Sequence, residues 1–563
     1  MSEISKGLAN GLTNYGDPEF AKYLRRSFAK SMGYTNESLD KPIVGICYTE
    51  SGFNNCHRHF PEMLESVKRG VLASGALPMP FPMISLGEVF LSPTSMVYRN
   101  LMAMAVEEMI RAQPMDAVVL MGGCDKTVPA LLMGAVSAGK PAVMLVAGPM
   151  MTGRYKGERL GACTDCRRFW AQYRAGTVSQ QEIDQIEGNL AVTSGTCAVM
   201  GTASSMAVIA ETLGVMLPNT ASIPAVHADR LRASEQTGAL AAKMAIQGGP
   251  KLDQLITEES VENALRVLLG VSGSTNAMIH LTAIAGRAGV EVDLKRFNAL
   301  SDETPVLVDL KPVGTGYMED FHAAGGLSGV LCALAPHLNL QTLDVTGQSL
   351  EQRLKQEQAE TTDLSVIRNT QNPVDAQGGL IALHGTLAPE GAILKRAAAT
   401  PSLLEHEGRA VVFSSLEDLA ARIDSPDLDV NADDILVLQN AGPRSPSGMP
   451  EAGYLPIPKK LAKVGVKDMV RISDARMSGT AFGTIVLHVT PEADLGGPLA
   501  LVQNGDRIRL SAAAKTIDLL VTPEELERRR SALPPSSTPP SRGYRKLYHD
   551  TILPAPQGCD FDF

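Results

Sequence analysis

Short apolar runs alternate with helical patterns over the first two-thirds of this 563-residue chain, and no other pattern limits the choice of fold as strongly. Each run is rich in β-branched residues and is bounded by Pro, Gly or Asp, which is typical of a strand buried on both faces. The segments between the runs place apolar residues on one helical face, as after Pro61. Strands that alternate with helices predict a parallel sheet covered by helices. The predicted strands are residues 43–48, 117–121, 142–147 and 306–310.

The pattern changes after a polar stretch between residues 351 and about 378, which is rich in Gln, Glu, Thr and Asn. Short strands with fewer helices follow, and Asn504-Gly505 is a typical hairpin turn between two of them. We therefore predict an α/β fold with a parallel-sheet domain over residues 1–370 and a β-rich, barrel-like domain over residues 371–563. A surface loop is expected at residues 534–542. The later strands are predicted at residues 411–414, 434–439, 484–489, 500–503, 507–510 and 517–521.

Composition argues against two classes of partner. The chain carries 51 Lys plus Arg against 61 Asp plus Glu, a formal net charge of −10, and only 4% of its residues are aromatic. Such a chain is poorly suited to bind a nucleic-acid backbone or to stack on bases. Its longest apolar runs fall well short of the ~18 residues of a bilayer-spanning helix, and its N-terminus lacks the pattern of a signal peptide. We expect a cytoplasmic protein that binds neither nucleic acid nor membrane.

Eight cysteines are too few for a disulfide scaffold in a chain of this length, so they are core thiols, metal ligands or nucleophiles. Cys56, Cys124 and Cys197 lie in loop sequences of small and polar residues, and Cys124 follows shortly after the predicted strand 117–121. Loops beyond the carboxyl ends of parallel strands are where such folds keep their sites. The separations match no zinc or ferredoxin motif, so spacing alone favours buried structural thiols.

The sequence around these cysteines changes that interpretation. Residues 124–134 (CDKTVPALLMG), 195–204 (GTCAVMGTAS) and 473–480 (SDARMSGT) resemble segments of the dihydroxyacid dehydratase / 6-phosphogluconate dehydratase family. The resemblance extends from about Lys41 to the C-terminal GCDFDF. This terminus, together with SLGE at residues 85–88 and CTDCRR at 163–168, is similar to the sugar-acid (aldonate) branch, with L-arabinonate-type enzymes nearest.

The resemblance implies an iron–sulfur cluster held by Cys56, Cys124 and Cys197, with one iron left open. A fully ligated cluster only moves electrons, whereas an open iron acts as a Lewis acid on a leaving hydroxyl. Some members of the family hold a four-iron cluster and lack a cysteine in the first segment. The cysteine at position 56 therefore implies a [2Fe-2S] cluster here.

The resemblance also implies a Mg²⁺ ion near Asp125 and Lys126. Lys126 resembles a lysine that is carbamylated, a change this role requires because an ammonium group cannot ligate a cation. Glu88 and Glu451 are similar to the remaining carboxylate ligands. At Glu88 the sequence departs from the amino-acid-pathway members, which have an Asp-Asp-Gly motif there.

Ser478 is similar to the catalytic base of the family, and nearby metal ions would have to stabilise its alkoxide. The implied reaction removes the C3 hydroxyl from a sugar acid, an aldonate such as L-arabinonate, and yields the 2-keto-3-deoxy acid. The resemblance further implies a homodimer or homotetramer.

Other hypotheses remain open from the sequence. Within the family, the substrate could instead be a branched-chain 2,3-dihydroxy acid. Outside it, the chain could be a non-enzymatic iron–sulfur electron carrier or sensor, or a hydrolase with a cysteine nucleophile beside a histidine. Cys163 and Cys166 form a C-x-x-C that we interpret as ordinary thiols rather than as a redox pair or metal clip. His57 and His59 could contact substrate or be structural.

Overall fold

The computed structural model describes residues 6–12, 14–357, 363–533 and 538–563, and two large sheets organise these residues. The strands are β1 (Ile43–Tyr48), β2 (Leu77–Pro82), β3 (Ala117–Gly122), β4 (Ala142–Val146), β5 (Gly153–Tyr155), β6 (Glu158–Leu160), β7 (Ile381–Leu383), β8 (Gly391–Leu394), β9 (Glu405–Phe413), β10 (Ile435–Leu438), β11 (Arg471–Ser473), β12 (Ile485–Thr490), β13 (Arg507–Ser511) and β14 (Thr516–Leu519). The helices are α1 (Pro18–Ser31), α2 (Asn36–Leu39), α3 (Phe60–Ala73), α4 (Met96–Ala112), α5 (Thr127–Ala138), α6 (Thr164–Ala175), α7 (Gln180–Glu187), α8 (Thr202–Thr212), α9 (Ala228–Gln247), α10 (Leu252–Leu255), α11 (Glu258–Gly270), α12 (Asn276–Arg287), α13 (Leu294–Glu303), α14 (Met318–Ala323), α15 (Gly326–Leu334), α16 (Leu350–Glu357), α17 (Leu416–Arg422), α18 (Lys459–Lys463), α19 (Pro523–Ser531) and α20 (Gly543–Thr551).

The first sheet is parallel and has the strand order β2-β1-β3-β4. Val44 of β1 lies opposite Pro78 of β2 on one side and Ala117 of β3 on the other. Every residue of β3 and β4 is buried, as expected of a sheet covered on both faces. Helices α3, α5 and α9 contact its strands. The predicted α/β class and the strands near residues 43–48, 117–121 and 142–147 are confirmed.

The prediction of a strand at residues 306–310 is wrong. Val306 and Val308 make only isolated bridges, to Asp375 and Ile367. The edge of the parallel sheet is instead β2, whose sequence LPMPFP gave no strand signal because proline lacks the N–H that a ladder needs. Its prolines occupy alternate positions, and an edge strand tolerates proline where the missing N–H would face away from the neighbouring strand.

The second sheet has the order β14-β13-β9-β10-β11-β12-β8-β7. Strands β9 to β12 run parallel to one another, and the outer pairs are antiparallel. The two ends of the sheet meet, because His384 N–H donates to the Lys515 carbonyl oxygen at 3.0 Å and Ile517 N–H donates to the His384 carbonyl oxygen at 2.9 Å. The predicted β-rich, barrel-like architecture of the C-terminal part is confirmed.

The prediction of a strand at residues 500–503, followed by an Asn504-Gly505 hairpin, is also wrong. A 3₁₀ turn over Pro498–Leu501 takes that place, and Gln439 Nε2 donates to the carbonyl oxygens of Leu499 and Val502. Asn504 Oδ1 accepts from Val412 N–H at 2.7 Å, so its side chain serves β9 rather than a hairpin. Strand β13 forms its hairpin with β14.

The polar stretch predicted as a domain boundary begins in α16, and residues 358–362 lie outside the described residues. The division at residue 370 therefore stays a prediction. Residues 534–537 of the expected surface loop also lie outside the described residues. Within the described ranges, no helix combines the length and apolar character needed to cross a membrane.

Candidate active site

Loops from both sheets meet at one place. The loops after β1 and β3 come from the parallel sheet, and the loops after β10 and β11 come from the barrel. All of them leave the carboxyl ends of parallel strands, which is where folds of this class place their chemistry. The predicted site residues lie on these loops and on the segments that pack against them.

His57 fixes the loop after β1 to the loop after β3. Its Nε2 accepts from the backbone N–H groups of Gly123 and Cys124, each at 3.0 Å, so its Nδ1 carries the proton and donates to the Thr49 carbonyl oxygen at 2.7 Å. Burial lowers the pKa of His57 to about 3, and the ring stays neutral. His57 is therefore a structural residue, and its engaged nitrogens do not serve as a base for a cysteine nucleophile.

A group of thiols lies beside these loops. Cys56 is within hydrogen-bond reach of Cys124 and also lies near Cys197. Cys163 Sγ is 3.6 Å from Cys197 Sγ, and Cys166 is within hydrogen-bond reach of Cys163. The structure thus brings together the cysteines predicted as cluster ligands and places the C-x-x-C pair next to them.

The contacts within this group change how firmly the thiols hold their protons. The hydrogen bond with Cys56, together with burial, raises the pKa of Cys124 well above its ordinary value. The hydrogen bond with Cys163, together with burial, does the same for the pKa of Cys197. Thiolates are the form that binds metal, so a metal at this position would displace these protons.

A trio of carboxylates forms the other side of the site. Glu88, Asp125 and Glu451 each place one oxygen within 4.8 Å of the other two. Thr94 Oγ1 donates to Glu88 Oε1 at 3.0 Å, and Ser95 Oγ donates to the second oxygen of that carboxylate. Oxygen atoms of this kind are the donors that hard divalent cations prefer.

Two buried basic side chains lie among these carboxylates. Arg476 bridges the two sheets, because its guanidinium nitrogens lie 2.7 Å from Glu451 Oε1 and 2.8 Å from Glu88 Oε1. Lys126 Nζ lies 2.5 Å from Asp125 Oδ2 and 3.6 Å from Glu88 Oε2. The end of the lysine side chain therefore lies beside two of the three carboxylates of the trio.

The carboxylates of the trio respond differently to these charges. Burial alone would raise the pKa of Glu88, but Arg476, Lys126 and two hydroxyl donors outweigh it and hold that pKa below its ordinary value. The pKa of Glu451 is raised, because the group is buried and because Glu88 and Asp125 repel its charge. A cation in the trio would relieve that repulsion.

Ser478 lies on a turn that packs against the segment of the third cysteine. Its Oγ is 2.8 Å from Thr480 Oγ1, and Thr164 Oγ1 donates to the Thr480 carbonyl oxygen at 2.9 Å. A Cβ atom on Gly479 would lie only 2.8 Å from the backbone nitrogen of Thr202, so glycine is required for this close approach. The turn that carries Ser478 therefore packs against the segments that follow Cys163 and Cys197.

Two basic residues of the site did not emerge from the sequence. Arg476 lies within the SDARMSGT segment, and nothing in that segment indicated which carboxylates it would meet. Lys395 follows β8, is fully buried, and donates to the Gly479 carbonyl oxygen at 3.5 Å. Burial lowers the pKa of Lys395 to about 7. A lone lysine after an apolar strand carries no local signal for such a place.

Comparison with known families identifies the family of this chain. The family description "Dihydroxy-acid/6-phosphogluconate dehydratase N-terminal" matches residues 41–353, and its C-terminal counterpart matches residues 365–559. The chain belongs to this family. It is therefore a dehydratase, a hydro-lyase, which confirms the predicted family and enzyme class and sets aside the carrier and hydrolase hypotheses.

Individual members of the dihydroxy-acid/6-phosphogluconate dehydratase family are similar over almost the whole chain. L-arabonate dehydratase of Azospirillum brasilense is 45% identical over 98% of this chain and 95% of its own length. The 6-deoxy-6-sulfo-D-gluconate dehydratase of Pseudomonas putida is 44% identical over 94% and 91%. L-arabinonate dehydratase of Rhizobium leguminosarum bv. trifolii is 42% identical over 98% and 95%. The predicted similarity to the aldonate branch is confirmed.

Proposed function

We propose that this dehydratase acts on a sugar acid, an aldonate such as L-arabinonate, and converts it to the 2-keto-3-deoxy acid by loss of the C3 hydroxyl. The observation that carries the proposal is a carboxylate trio beside a thiol group in one site, formed by Glu88, Asp125 and Glu451 on one side and the cysteines on the other. The names of the relatives, which include dehydratases of L-arabonate and L-arabinonate, support the substrate class.

The oxygen side of the site fits a Mg²⁺ ion. Glu88, Asp125 and Glu451 supply oxygens at mutual separations that a single ion can bridge, and Mg²⁺ favours carboxylates. Lys126 ends among these oxygens, so its carbamylation would replace a positive charge with an anionic oxygen ligand. Arg476 then balances the charge of Glu88 and Glu451 from the opposite side.

The thiol side fits a [2Fe-2S] cluster held by Cys56, Cys124 and Cys197. Three thiolates leave one iron position free of protein ligands, which is the arrangement of a catalytic rather than an electron-transfer centre. When bound, the two groups supply Lewis acids, the Mg²⁺ toward the substrate carboxylate and C2 hydroxyl and the open iron toward the C3 hydroxyl.

The residues of the turn at Ser478 accept the proton that leaves the substrate. Ser478 Oγ, present as the alkoxide, takes the proton from C2, and Thr480 Oγ1, 2.8 Å away, orients that oxygen. Lys395 holds the turn in place through the Gly479 carbonyl oxygen. Loss of the C2 proton and of the C3 hydroxyl leaves an enol between C2 and C3, which takes up a proton at C3 to give the 2-keto acid.

The test is a comparison of two substrates. Enzyme whose visible spectrum shows a bound cluster is supplied with Mg²⁺ and given either L-arabinonate or 2,3-dihydroxyisovalerate, and 2-keto acid is measured. We expect much faster turnover of L-arabinonate. Faster turnover of dihydroxyisovalerate would instead assign a branched-chain 2,3-dihydroxy acid as substrate. No product from either acid, or from a wider aldonate panel, would overturn the proposal.

The proposal also includes a cytoplasmic location and a homo-oligomeric assembly. Its cysteines are all free thiols, which a reducing cytoplasm preserves. A closed homodimer or homotetramer is the usual assembly for a chain of this kind. Size-exclusion chromatography with light scattering measures that assembly directly.

A further inference from the structure

The thiol group contains two members that the proposed reaction does not use. Cys163 directly precedes α6, and Cys166 lies in the first turn of that helix, so the two side chains are one turn apart on one face. Cys163 Sγ lies 3.6 Å from Cys197 Sγ, and Cys166 is within hydrogen-bond reach of Cys163. Cys163 therefore lies between a proposed cluster ligand and a third thiol.

The surrounding structure holds this turn firmly in place. Asp165, between the two cysteines, is fully buried and accepts from Gly161 N–H at 2.8 Å and from Lys311 Nζ at 3.0 Å. Thr164 Oγ1 donates to the Thr480 carbonyl oxygen at 2.9 Å. The nearness of Cys163 to Cys197 is thus a property of an anchored turn rather than a chance approach of two surface side chains.

Exposure separates Cys124 from the other members of the thiol group. Cys56, Cys163, Cys166 and Cys197 are half-buried residues, whereas Cys124 is buried. On the protein side, Cys163 and Cys166 pack against Met150, Ala162 and Ala198. A molecule as small as hydrogen peroxide can reach half-buried sulfurs, and a disulfide bond of about 2.05 Å asks Cys163 and Cys197 to close by roughly 1.5 Å.

We propose that Cys163 protects Cys197 from irreversible oxidation by forming a disulfide with it when the site holds no cluster and hydrogen peroxide is present, and that Cys166 then releases Cys197. Neither cysteine of the C-x-x-C is needed as a cluster ligand. The C-x-x-C arrangement is suited to the release step, because its two thiols close a small ring.

Hydrogen peroxide is the only reagent that the three steps of this reaction need. The Cys163 thiolate attacks one peroxide oxygen, the O–O bond breaks, and the hydroxide that leaves takes the thiol proton as water. Cys197 sulfur attacks the resulting sulfenic acid, the S–O bond breaks, and a second water leaves. The Cys166 thiolate then attacks Cys163 sulfur, a Cys163–Cys166 bond replaces the Cys163–Cys197 bond, and Cys197 leaves as a thiolate that takes up the proton from Cys166.

The benefit lies in what happens to Cys197. A cysteine oxidised alone proceeds to sulfinic acid, which reducing agents do not reverse, whereas a disulfide returns to thiols. The statement that a freed Cys197 can accept a new cluster rests on the proposed function. The disulfide chemistry does not, because it concerns only thiols and peroxide, so the two can fail separately.

The experiment uses the full chain, freed of metal with a chelator and of reductant under argon, and treated with hydrogen peroxide. Remaining thiols are alkylated, and non-reducing peptide mapping by mass spectrometry identifies the linked peptides. We expect a Cys163–Cys166 link in the wild type and a Cys163–Cys197 link in Cys166→Ser. In Cys163→Ser, we expect both links to be lost and the Cys197 peptide to gain two oxygens.

The control is Cys332→Ser, which removes a half-buried thiol on α15 and should give the wild-type pattern. Circular dichroism checks that each variant is folded, and the wild-type map remains informative even if one variant is not.

A second measurement asks whether Cys197 can still accept a cluster after oxidation. Peroxide-treated protein is reloaded with iron and sulfide under dithiothreitol, and iron analysis should find less iron in Cys163→Ser than in the wild type. A wild-type map with Cys163 unlinked, or with Cys56–Cys124 as the main product, would overturn the proposal.

Discussion

Buried carboxylates near the site, within the described part of the chain, fall into two groups that are neutralised in different ways. Glu88 and Glu451 belong to the trio beside Arg476, whose guanidinium pairs with both. Asp474 and Glu492, in the neighbouring barrel loops, are more deeply buried than these two glutamates and accept hydrogen bonds from backbone amides. The N–H groups of Ala441 and Ala493 donate to Asp474, and the N–H of Arg444 donates to Glu492.

Of these four carboxylates, Glu88 alone has a lowered pKa, and the other three have raised values. Burial raises the pKa of Asp474 to about 6, and burial together with the charge of Asp474 raises the pKa of Glu492 to about 8. Glu88, by contrast, is held below its ordinary pKa once the nearby positive charges outweigh burial. The pKa of Glu451 is raised although it pairs with the same arginine, because burial and the charges of Glu88 and Asp125 outweigh that pair. Glu88 therefore stays ionised and available to a cation, whereas burial favours the protonated form of Asp474 and Glu492.

The largest expected effect is on turnover, and it comes from a residue that belongs to neither group of carboxylates. Ser478→Ala should lower kcat by about 10²–10⁴-fold, because it removes the proposed base without changing a carboxylate. The visible spectrum of the bound cluster and the affinity for Mg²⁺ should stay unchanged. Ser511→Ala, at the end of β13, is the matched control and should keep full activity. Near-wild-type turnover in Ser478→Ala would remove this serine from the mechanism.

The next test removes the arginine that distinguishes the two groups. Arg476→Met leaves Glu88 and Glu451 without their shared counter-charge, and the free energy of unfolding without Mg²⁺ should fall by about 3–5 kcal/mol. Arg409→Met breaks a more exposed pair with Asp434 and should cost less than about 1 kcal/mol. Urea unfolding measures both. Equal losses would show that the site carboxylates do not depend on Arg476.

The gain in stability from bound Mg²⁺ should depend on the trio and not on Asp474 or Glu492, and this effect is somewhat smaller. At a Mg²⁺ concentration 100 times its Kd, binding to the folded state should raise the free energy of unfolding by about 2.7 kcal/mol. Glu451→Gln should lose this increment and Glu492→Gln should keep it, because only the first residue belongs to the trio. Thermal unfolding with and without Mg²⁺ gives the comparison. An increment that survives in Glu451→Gln would place the ion elsewhere.

The smallest expected effect is on the pH dependence of stability, and it comes from the proton that Glu492 keeps in the folded state. Glu492 titrates at about 8 in the folded state against 4.5 for a free carboxyl, so the folded state binds more protons between these values. Its contribution to stability is therefore complete at low pH and is lost as pH rises through about 8. In Glu492→Gln, which carries no titrating proton, this decline should be absent. Urea unfolding at a series of pH values checks it, and a parallel decline in both proteins would contradict it.

Continuous apolar runs made part of the fold predictable. Strand β3 is buried at every position and is apolar throughout, so its sequence alone indicated it. The run at residues 306–310 has the same character but lacks strand neighbours, which only the tertiary structure supplies. At Asn504, the side chain caps β9, a long-range contact that a turn propensity does not contain.

The candidate site was predictable to the same extent: local motifs named its residues, but their contacts with distant segments did not follow from the sequence. Motif resemblance named Glu88, Asp125 and Glu451, and the structure brings their oxygens together, while their role as ligands stays a prediction. Nothing local to Glu451 or Glu492 separates a carboxylate beside an arginine from one served by a backbone amide. The approach of Cys163 to Cys197 likewise depends on how α6 docks.

The bridge made by Arg476 between the barrel and Glu88 has a consequence for the order of events during synthesis. The cysteines of the thiol group all lie at or before residue 197, whereas Glu451 and Arg476 come much later. On a ribosome that adds about 5–20 residues per second, the intervening stretch takes roughly 15–60 s to emerge. A nascent chain therefore presents its thiols, together with Glu88 and Asp125, well before Glu451 and Arg476, and the carboxylate trio is incomplete until the barrel has been synthesised.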